Sequence, residues 1–400
     1  MAETLPDSTY DETQVPDYTL PDPLICEDGT PVADADVWMA RRRPELLSLF
    51  ETYVYGRAPA PPDAMSFGVC STAVGVLEGL ATRKEVTMRF TEDDSGPELN
   101  LLIYLPNKRN GPAPLFLGLN FTGNHTIHSD PDITPSKAWA ADHPELEVAE
   151  TRGTSASRWP VEMILRRGYG LATIYRGDID PDYDDGFRNG VHGLFAHDDS
   201  QGDAWGTISA WAWGLSRALD YFETDGDIDA AHVAVMGHSR LGKTALWAGA
   251  TDPRFALAIA NNSGCGGAAL SRREFGETVK RINTVFPHWF CSNFKQYNDR
   301  VADLPVDQHE LVALIAPRPV YVASAEEDLW ADPRGEFLSA RAAGPVYDLF
   351  GLQGLPVTEM PAIHQPAQGS VAYHIRAGGH DVTRYDWEQY LTFADHHWKL

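Results

Sequence analysis

From about residue 113 onward, apolar segments typical of buried strands alternate with segments that have helical spacing. The strand-like segments are APLFLGLNF, YGLATIYR, HVAVMGH, FALAIANNS and RPVYVASA, and the helix-like segments between the first four are SRWPVEMILRRG, AWGTISAWAWGLSRALDYFET and SRLGKTALWAGAT. Strands joined through helices run parallel, and a parallel sheet is covered by helices on both faces. The alternation therefore predicts an α/β protein, a three-layer sandwich with a mainly parallel central sheet.

The residues before position 113 follow a different pattern. Residues 1–35 are acidic and Pro-rich, and we expect an extended N-terminal segment there. RRRPELLSLFETYVYG predicts a helix within residues 36–57. The alternating segments FGVCSTAVGVL, KEVTMRF and LNLLIYL predict antiparallel strands at one edge of the sheet. The expected organisation is the extended segment 1–35 followed by a single α/β domain over residues 36–400.

Charge and hydropathy exclude several classes of protein. The chain has 32 basic and 57 acidic residues, a net charge of −25 that would repel the phosphates of nucleic acids. It contains no run of 18 apolar residues, so no membrane-spanning helix is expected. The acidic N-terminus is unlike a signal peptide, which has a basic start and an apolar stretch. We expect a monomeric protein that is secreted or periplasmic, with the signal peptide not present in this sequence.

Metal and cofactor chemistry finds no support in the sequence. The four cysteines are Cys26, Cys70, Cys265 and Cys291, and no Cys-x-x-Cys motif or Cys/His cluster has the spacing of a metal site. Pairing of all four would allow three disulfide arrangements, among which the sequence does not choose. The histidines and aspartates near the C-terminus fit a helix surface better than a metal site. We therefore expect neither a metal nor a cofactor.

The segment VAVMGHSRLGKTALW, residues 233–247, joins an apolar strand to a helix through Gly-His-Ser. This order is typical of a nucleophile elbow, a tight turn that lifts a serine hydroxyl above the sheet. We therefore predict that Ser239 is a nucleophile, with Gly237 supplying the small residue that the turn needs. Leu241 occupies the second glycine position of the Gly-x-Ser-x-Gly motif, and Gly242 follows it.

Two cations follow Ser239. The backbone N–H of Arg240 lies at the predicted helix N-terminus, where it would face a developing oxyanion, and the guanidinium adds a fixed fork of donors. Lys243 follows one helical turn after Ser239, so that both side chains can face the same cavity. Both cations are therefore candidates for contact with a substrate.

The partners of the serine should follow in the order acid, then histidine. The segment AGGHDVT fits a late loop and indicates His380 as the base, whereas His374 lies nearer a strand and is predicted to be structural. The usual position of the acid, after the strand that ends near Ser324, reads SAEEDLWADP. Four carboxylates compete for this role: Glu326, Glu327, Asp328 and Asp332.

Five segments together resemble glucuronoyl esterases, carbohydrate esterase family 15, and in particular their bacterial branch. They are GHSRLGKTALW, NNSGCGGAALSRR, FGETV, EEDLWADP and GGHD, and the resemblance extends from about residue 30 to the C-terminus. It implies an α/β-hydrolase fold and serine-esterase chemistry without a cofactor. The implied substrate is the ester in glucuronoxylan or lignin–carbohydrate material that joins 4-O-methyl-glucuronate to lignin alcohols.

The resemblance also implies roles for individual residues. Ser239 would be the nucleophile and His380 the base. Arg240 would assist the oxyanion through its side chain and its N–H. Lys243 and Glu277 would hold sugar hydroxyls, and Trp330 would form a bond on the uronate side.

Two positions depart from the family pattern. Many members carry the triad Glu just before Ser-Gly-x-Gly-Gly, but here Asn262 stands there, and an amide cannot stabilise an imidazolium by charge. The acid is therefore expected at Asp328, two residues before Trp330, with Asp332 as the alternative. Fungal relatives carry a cysteine directly before the nucleophile, disulfide-bonded beside the histidine. His238 replaces it here, so this disulfide is expected to be absent.

The resulting prediction is a serine esterase, a carboxylic ester hydrolase acting on esters of 4-O-methyl-D-glucuronate. One alternative is an acetyl-xylan or other carbohydrate esterase, and another is a carbohydrate-binding relative that has lost catalysis. The side chains of Lys243, Glu277 and Trp330 favour the uronate, since an acetyl group needs no such clamp. Asp328 argues against the inactive relative, since it offers a replacement acid.

Overall fold

The computed structural model describes residues 8–92 and 96–399, so that residues 1–7 of the predicted N-terminal segment lie outside the described part. Within these ranges ten strands form one sheet, in the spatial order β1-β2-β3-β5-β4-β6-β7-β8-β10-β9. The strands are β1 Ser66–Val76, β2 Ala81–Arg89, β3 Glu98–Pro106, β4 Ala113–Asn120, β5 Gly170–Tyr175, β6 Ile228–His238, β7 Leu257–Asn261, β8 Val320–Ala325, β9 Ala367–Gln368 and β10 Val371–Arg376.

The centre of the sheet is parallel and its edges are antiparallel. Six strands in the central part of the sheet are parallel to one another, in the order β5, β4, β6, β7, β8 and β10. The meander β1-β2-β3 joins β5 in antiparallel register, and the short β9 closes the other edge against β10. The mainly parallel sheet and the antiparallel edge are both confirmed.

Thirteen α-helices lie within the described ranges. They are α1 Ala35–Val37, α2 Arg43–Phe50, α3 Lys137–Asp142, α4 Val148–Thr151, α5 Val161–Arg166, α6 Arg176–Ile179, α7 Thr207–Phe222, α8 Arg240–Thr251, α9 Val279–Val285, α10 Gln308–Ala313, α11 Pro333–Ala342, α12 Gly344–Asp348 and α13 Arg384–Trp398.

Two of the predicted helices differ in detail from the prediction. The helix expected within residues 36–57 contains π-helical turns at Trp38–Arg42 and Glu51–Tyr55, on either side of α2, and ends where Gly56 adopts a φ of 82°. Helix α5 begins only at Val161, because Pro160 disfavours helical backbone in the residue before it. A separate 3₁₀ turn therefore occupies Ala156–Arg158.

Helices cover both faces of the sheet. Leu115, Leu117 and Leu119 of β4 belong to a buried cluster that also contains residues of α7 and α8. Phe116 points to the opposite face, where it meets Trp387 of α13. Because successive side chains of a strand face opposite sides, this alternation places the sheet between two helical layers, as the strand–helix rhythm predicted. Each fully buried large apolar side chain contributes roughly 1.5–3 kcal/mol.

The described N-terminal residues run along the surface of the α/β body. Between residues 8 and 34 the only described helix is the 3₁₀ turn Glu12–Gln14. Thr9 bridges to Phe275, and the Glu12 carboxylate accepts a bond of 2.7 Å from Arg273. The division of the chain at residue 35 stays a prediction. No helix in the described ranges has the length and apolar character that crossing a membrane requires.

The four cysteines, Cys26, Cys70, Cys265 and Cys291, are free thiols.

The carboxyl ends of β6, β7, β8 and β10 form one continuous stretch of the sheet edge, because these strands are neighbours. The loops that follow them carry Ser239, Asn262, Asp328 and His380, in that order. Ligands of open α/β sheets bind outside the carboxyl ends of the strands. The topology therefore brings residues that are up to 141 positions apart in the sequence to one edge.

Candidate active site

Ser239 stands at the turn between β6 and α8 in a strained backbone conformation. Its φ is 58° and its ψ is −130°, which a residue with a side chain rarely adopts. Gly237 makes the turn possible, because a Cβ there would lie 1.8 Å from the carbonyl oxygen of Leu241. This geometry is that of a nucleophile elbow, with the serine at its apex.

Gly242 accounts for the altered second half of the motif. A Cβ on Gly242 would approach the Cβ of Ser263 at 3.0 Å and the carbonyl oxygen of Gly237 at 3.1 Å, so a small residue is needed where α8 passes the strands. Leu241, in the usual glycine position, is instead buried in the core. The elbow is thus retained with its second glycine moved by one residue.

His380 and Asp328 are in direct contact. The Nδ1 atom of His380 lies 2.5 Å from Oδ2 of Asp328, and Asn262 donates to the same oxygen through its side-chain nitrogen at 2.7 Å. Burial opposes the charge of Asp328, but the hydrogen bonds from His380 and Asn262 outweigh it, and the pKa of this carboxyl is below its ordinary value. The pair has the arrangement in which a carboxylate orients an imidazole and stabilises its protonated form.

The other candidate acids lie elsewhere. Asp332 binds the guanidinium of Arg273 through both oxygens, at 2.8 and 3.3 Å, and caps α11 by accepting the N–H of Gly335 at 2.9 Å. Glu326 is half-buried and Glu327 is exposed, and neither lines the cavity that contains Ser239. Of the four competing carboxylates, the structure brings Asp328 to His380.

Two further histidines have distinct surroundings. The ring of His238 lies 4.5 Å from that of His380, centroid to centroid, and its Nδ1 is 2.7 Å from Oδ1 of Asn261. Burial, together with the nearby His380, lowers the pKa of His238 to about 3. His374 is buried between Tyr321 and Asp386 in the core, so its structural assignment is confirmed.

The guanidinium of Arg240 is held from two directions. Its Nη1 atom donates to Oδ2 of Asp182 at 2.6 Å. The guanidinium carbon lies 4.6 Å from the ring centroid of Trp289 and 5.2 Å from that of Phe286, within the range of a cation–π contact. The ion pair and the aromatic rings together fix the side chain beside the elbow.

Lys243 is buried and its ammonium group is fully engaged. It donates to the carbonyl oxygens of Ser263 and Cys265, each at 2.7 Å, and to Oε2 of Glu277 at 3.2 Å. An ammonium group has three N–H donors, so all of them have acceptors within the protein. A sugar hydroxyl would therefore meet a Lys243–Glu277 pair rather than Lys243 alone.

One cavity of about 360 Å³ contains all seven predicted site residues. Trp330 is half-buried in its wall, and its carbonyl oxygen accepts the N–H of Glu277 at 2.9 Å. The wall comprises Ser239, Arg240, Lys243, Asn262, Ser263, Gly264, Glu277, Arg281, Val285, Phe286, Trp289, Asp328, Trp330, Ala331 and His380. A larger groove between α5 and α13 is lined by no serine, cysteine or histidine, so it contains neither a serine or cysteine nucleophile nor a histidine base.

Known proteins are similar to this chain in sequence and fold. A family model described as glucuronyl esterase, fungi, matches residues 186–351. A carbohydrate esterase from an unknown prokaryotic organism is 52% identical, over 97% of this chain and 91% of its own length. The chain belongs to carbohydrate esterase family 15, the glucuronoyl esterases.

Two further relatives agree with this assignment. The solved glucuronoyl esterase from Solibacter usitatus is 50% identical, with a TM-score of 0.92 over 96% of this chain and all of its own. A 4-O-methyl-glucuronoyl methylesterase from Wolfiporia cocos is 30% identical, over 84% of this chain and 74% of its own length. The α/β-hydrolase fold that the resemblance implied is thereby confirmed.

The site of this glucuronoyl esterase contains residues that the sequence did not indicate. Asp182 and Trp289 hold Arg240, although both are distant from it in the sequence. The position of Asp182, shortly after the strand YGLATIYR, places it at the same edge of the sheet and could have suggested it. Trp289 belongs to the aromatic run PHWF, which carries no comparable signal.

A buried carboxylate also supports the loop beside Asn262. Glu336 accepts the N–H groups of Ser263 and Gly264 at 2.7 and 3.0 Å, and the hydroxyl of Ser324 at 2.6 Å. Burial raises the pKa of Glu336 to about 7. In the sequence, nothing distinguishes Glu336 from a charge on the surface of α11. Among the described residues, no group of three or more His, Cys, Asp or Glu side chains could hold a metal ion.

Proposed function

We propose that this chain is a serine esterase that hydrolyses esters of 4-O-methyl-D-glucuronate, as in lignin–glucuronoxylan linkages. The observation that carries the proposal is the contact of 2.5 Å between His380 and Asp328, in one cavity with Ser239, Lys243 and Trp330. The identity of the proposed sugar rests on the names of the relatives, and the type of reaction rests on the residues of the cavity.

In the proposed reaction, Ser239 Oγ attacks the ester carbonyl carbon and His380 takes the hydroxyl proton. Asp328 stabilises the imidazolium that forms. The N–H and side chain of Arg240 stabilise the oxyanion. When the ester bond breaks, the alcohol leaves with the proton from His380. Water, activated by the same histidine, then releases the acid and restores Ser239.

The proposed substrate clamp comprises Glu277, Lys243 and Trp330. Because Lys243 already binds Glu277, a sugar hydroxyl would donate to the carboxylate or share one of the ammonium hydrogens. Trp330 offers a half-buried indole for the uronate side of the substrate. These groups suit a hydroxyl-rich sugar, whereas a small acetyl ester would leave them unused.

A broader carbohydrate esterase, acting also on acetyl esters, is the second candidate. It is favoured by the full engagement of Lys243, which leaves this ammonium no N–H free for a sugar. The contact between Asp328 and His380 speaks against a relative that only binds carbohydrate.

The test is turnover of benzyl glucuronate beside an acetyl ester, with Ser239→Ala as the control. We expect the uronate ester to be the better substrate by kcat/KM. Ser239→Ala should lower turnover by roughly four to six orders of magnitude while the fold is retained. Substantial turnover by purified Ser239→Ala protein would refute the serine mechanism, and preference for the acetyl ester would favour the second candidate.

The proposed substrate also sets the expected location. Lignin and xylan lie outside the cell, so we infer a bacterial enzyme of lignocellulose degradation that is secreted or periplasmic. We also infer that it acts as a monomer, without a nucleic-acid partner or a membrane partner. The net charge of −25 supports the lack of a nucleic-acid partner.

A further inference from the structure

Asp182, in the loop that follows α6, has an almost completely buried side chain surrounded by donors. Its side chain is 5% exposed. Arg240 donates to Oδ2 at 2.6 Å, Trp289 donates its indole N–H to Oδ1 at 2.8 Å, and His288 lies 3.3 Å from Oδ1. The guanidinium of Arg176 is 3.6 Å from Oδ2. This carboxylate therefore joins the loop after α6, the elbow and the loop after α9.

The contacts of Asp182 form a closed triangle with Arg240 and Trp289. Asp182 binds both partners, and the guanidinium of Arg240 lies against the face of the Trp289 indole. The ion pair fixes one edge of the guanidinium, and the ring fixes its plane. A planar fork held in this way presents its remaining N–H groups in one orientation.

Asp182 also balances the charge of Arg240. Burial opposes its ionisation, but the bond from His288 and the charges of Arg176 and Arg240 outweigh this, and its pKa is well below the ordinary value. Arg240 is the residue next to Ser239, where the proposed reaction converts a neutral ester into an acid anion. An uncompensated guanidinium there would form a strong charge-assisted pair with that anion.

We propose that Asp182 is a positioning residue that acts through Arg240 in two ways. It holds the guanidinium in the orientation that stabilises the oxyanion, and as a counter-ion it weakens the binding of the anionic product. This inference rests on the proposed esterase function and on the proposed role of Arg240.

Asp182→Asn tests both parts of the proposal on benzyl glucuronate. The amide oxygen can still accept the indole N–H of Trp289, but the negative charge is lost. We expect kcat to fall about tenfold to a hundredfold, with KM changed by less than about threefold. We also expect the Ki for inhibition by free glucuronate to fall by about threefold or more. A purely structural role would not tighten the binding of product.

A double-mutant cycle links the effect to Arg240. In an Arg240→Gln background, Asp182→Asn should cause little further loss of kcat, since the group on which it acts is absent. The matched control is Asp180→Asn, which changes a buried carboxylate of the same loop that binds His192 and Thr207 instead. We expect this control to lower stability and to leave kcat and the product Ki of the folded enzyme unchanged.

A second variant separates the two effects and serves if Asp182→Asn fails to fold. Asp182→Glu keeps the charge but lengthens the side chain by one methylene. It should lower kcat while the product Ki stays near the wild-type value. Unchanged kcat and Ki in Asp182→Asn would overturn the proposal. So would full additivity, in the double variant, of the kcat losses caused by Asp182→Asn and by Arg240→Gln. Normal turnover by Arg240→Gln would refute the proposed role of Arg240 and with it this inference. The esterase function is tested separately by Ser239→Ala.

Discussion

Asp328 and Asp332 lie four residues apart, one in the loop after β8 and the other at the start of α11. Both are buried, with 6% and 2% of their surface exposed. Asp328 is bonded to the Nδ1 atom of His380, which lies in the loop after the neighbouring strand. Asp332 is bonded to the guanidinium of Arg273 and to the first turn of its own helix.

The difference between the two aspartates shows that burial does not identify a catalytic acid. A carboxylate against a permanently charged guanidinium makes a fixed ion pair, because arginine does not release its proton in proteins. A carboxylate against an imidazole can respond to a proton that arrives and leaves during the reaction. The partner that each aspartate meets therefore separates a structural group from a candidate triad member.

The largest expected effect is that of Asp328→Asn. This isosteric change deletes the charge that holds and stabilises the imidazolium of His380, so turnover of benzyl glucuronate should fall by roughly two to four orders of magnitude. The measurement is kcat/KM of the purified enzyme, with circular dichroism to establish that the fold is intact. Near-normal turnover in a folded Asp328→Asn protein would remove Asp328 from the triad.

Asp332→Asn should have the opposite profile. It leaves the buried guanidinium of Arg273 with only the partly exposed carboxylate of Glu12, so the loss of unfolding free energy should be at most about 3–5 kcal/mol. The turnover of the protein that remains folded should stay within about threefold of wild type, because Asp332 touches neither Ser239 nor His380. Urea unfolding measures the loss of stability, and initial rates at a temperature below the unfolding transition measure the turnover. A large loss of turnover with unchanged stability would reverse the roles of the two aspartates.

The smallest effect concerns His238, the second imidazole near Asp328. Its pKa is about 3 in the folded protein and near 6.5 when exposed, so between these values the unfolded chain binds a proton that the folded protein does not. Acidification therefore lowers stability through this group by about 1.4 kcal/mol per pH unit.

In His238→Phe, the unfolding free energy should accordingly fall less steeply between pH 6 and pH 4 than in wild type. Urea unfolding of both proteins at several pH values across this range measures the two slopes. A wild-type slope in His238→Phe would mean that burial does not keep His238 neutral in this pH range.

Local patterns predicted the parts of the molecule that depend on adjacent residues. The strand–turn–helix of residues 233–247 was sufficient for the elbow at Ser239, and the glycines before His380 indicated a late loop. The choice of Asp328 over Asp332 needed the register of the family resemblance, because both follow the same strand. The structure then separated them by their partners, His380 and Arg273.

Features that depend on long-range contacts could not be predicted. The engagement of Lys243 by two carbonyl oxygens depends on a loop about twenty residues away. The bond from Asn262 to Asp328 joins loops that only the sheet order brings together. The replacement of Glu by Asn262 was expected only to remove a charge, but the amide of Asn262 also donates a hydrogen bond to Asp328, the proposed acid.

The most direct test of the proposed triad is the rate at which an alkyl fluorophosphonate labels the enzyme, followed by mass spectrometry of the peptide that contains Ser239. The proposed triad predicts one label, on Ser239, in wild type and at an equal rate in Asp332→Asn. Ser239→Ala should take up none, and Asp328→Asn should react at least about a hundredfold more slowly. A label on a different residue, or equal labelling rates for Asp328→Asn and wild type, would contradict the assignment.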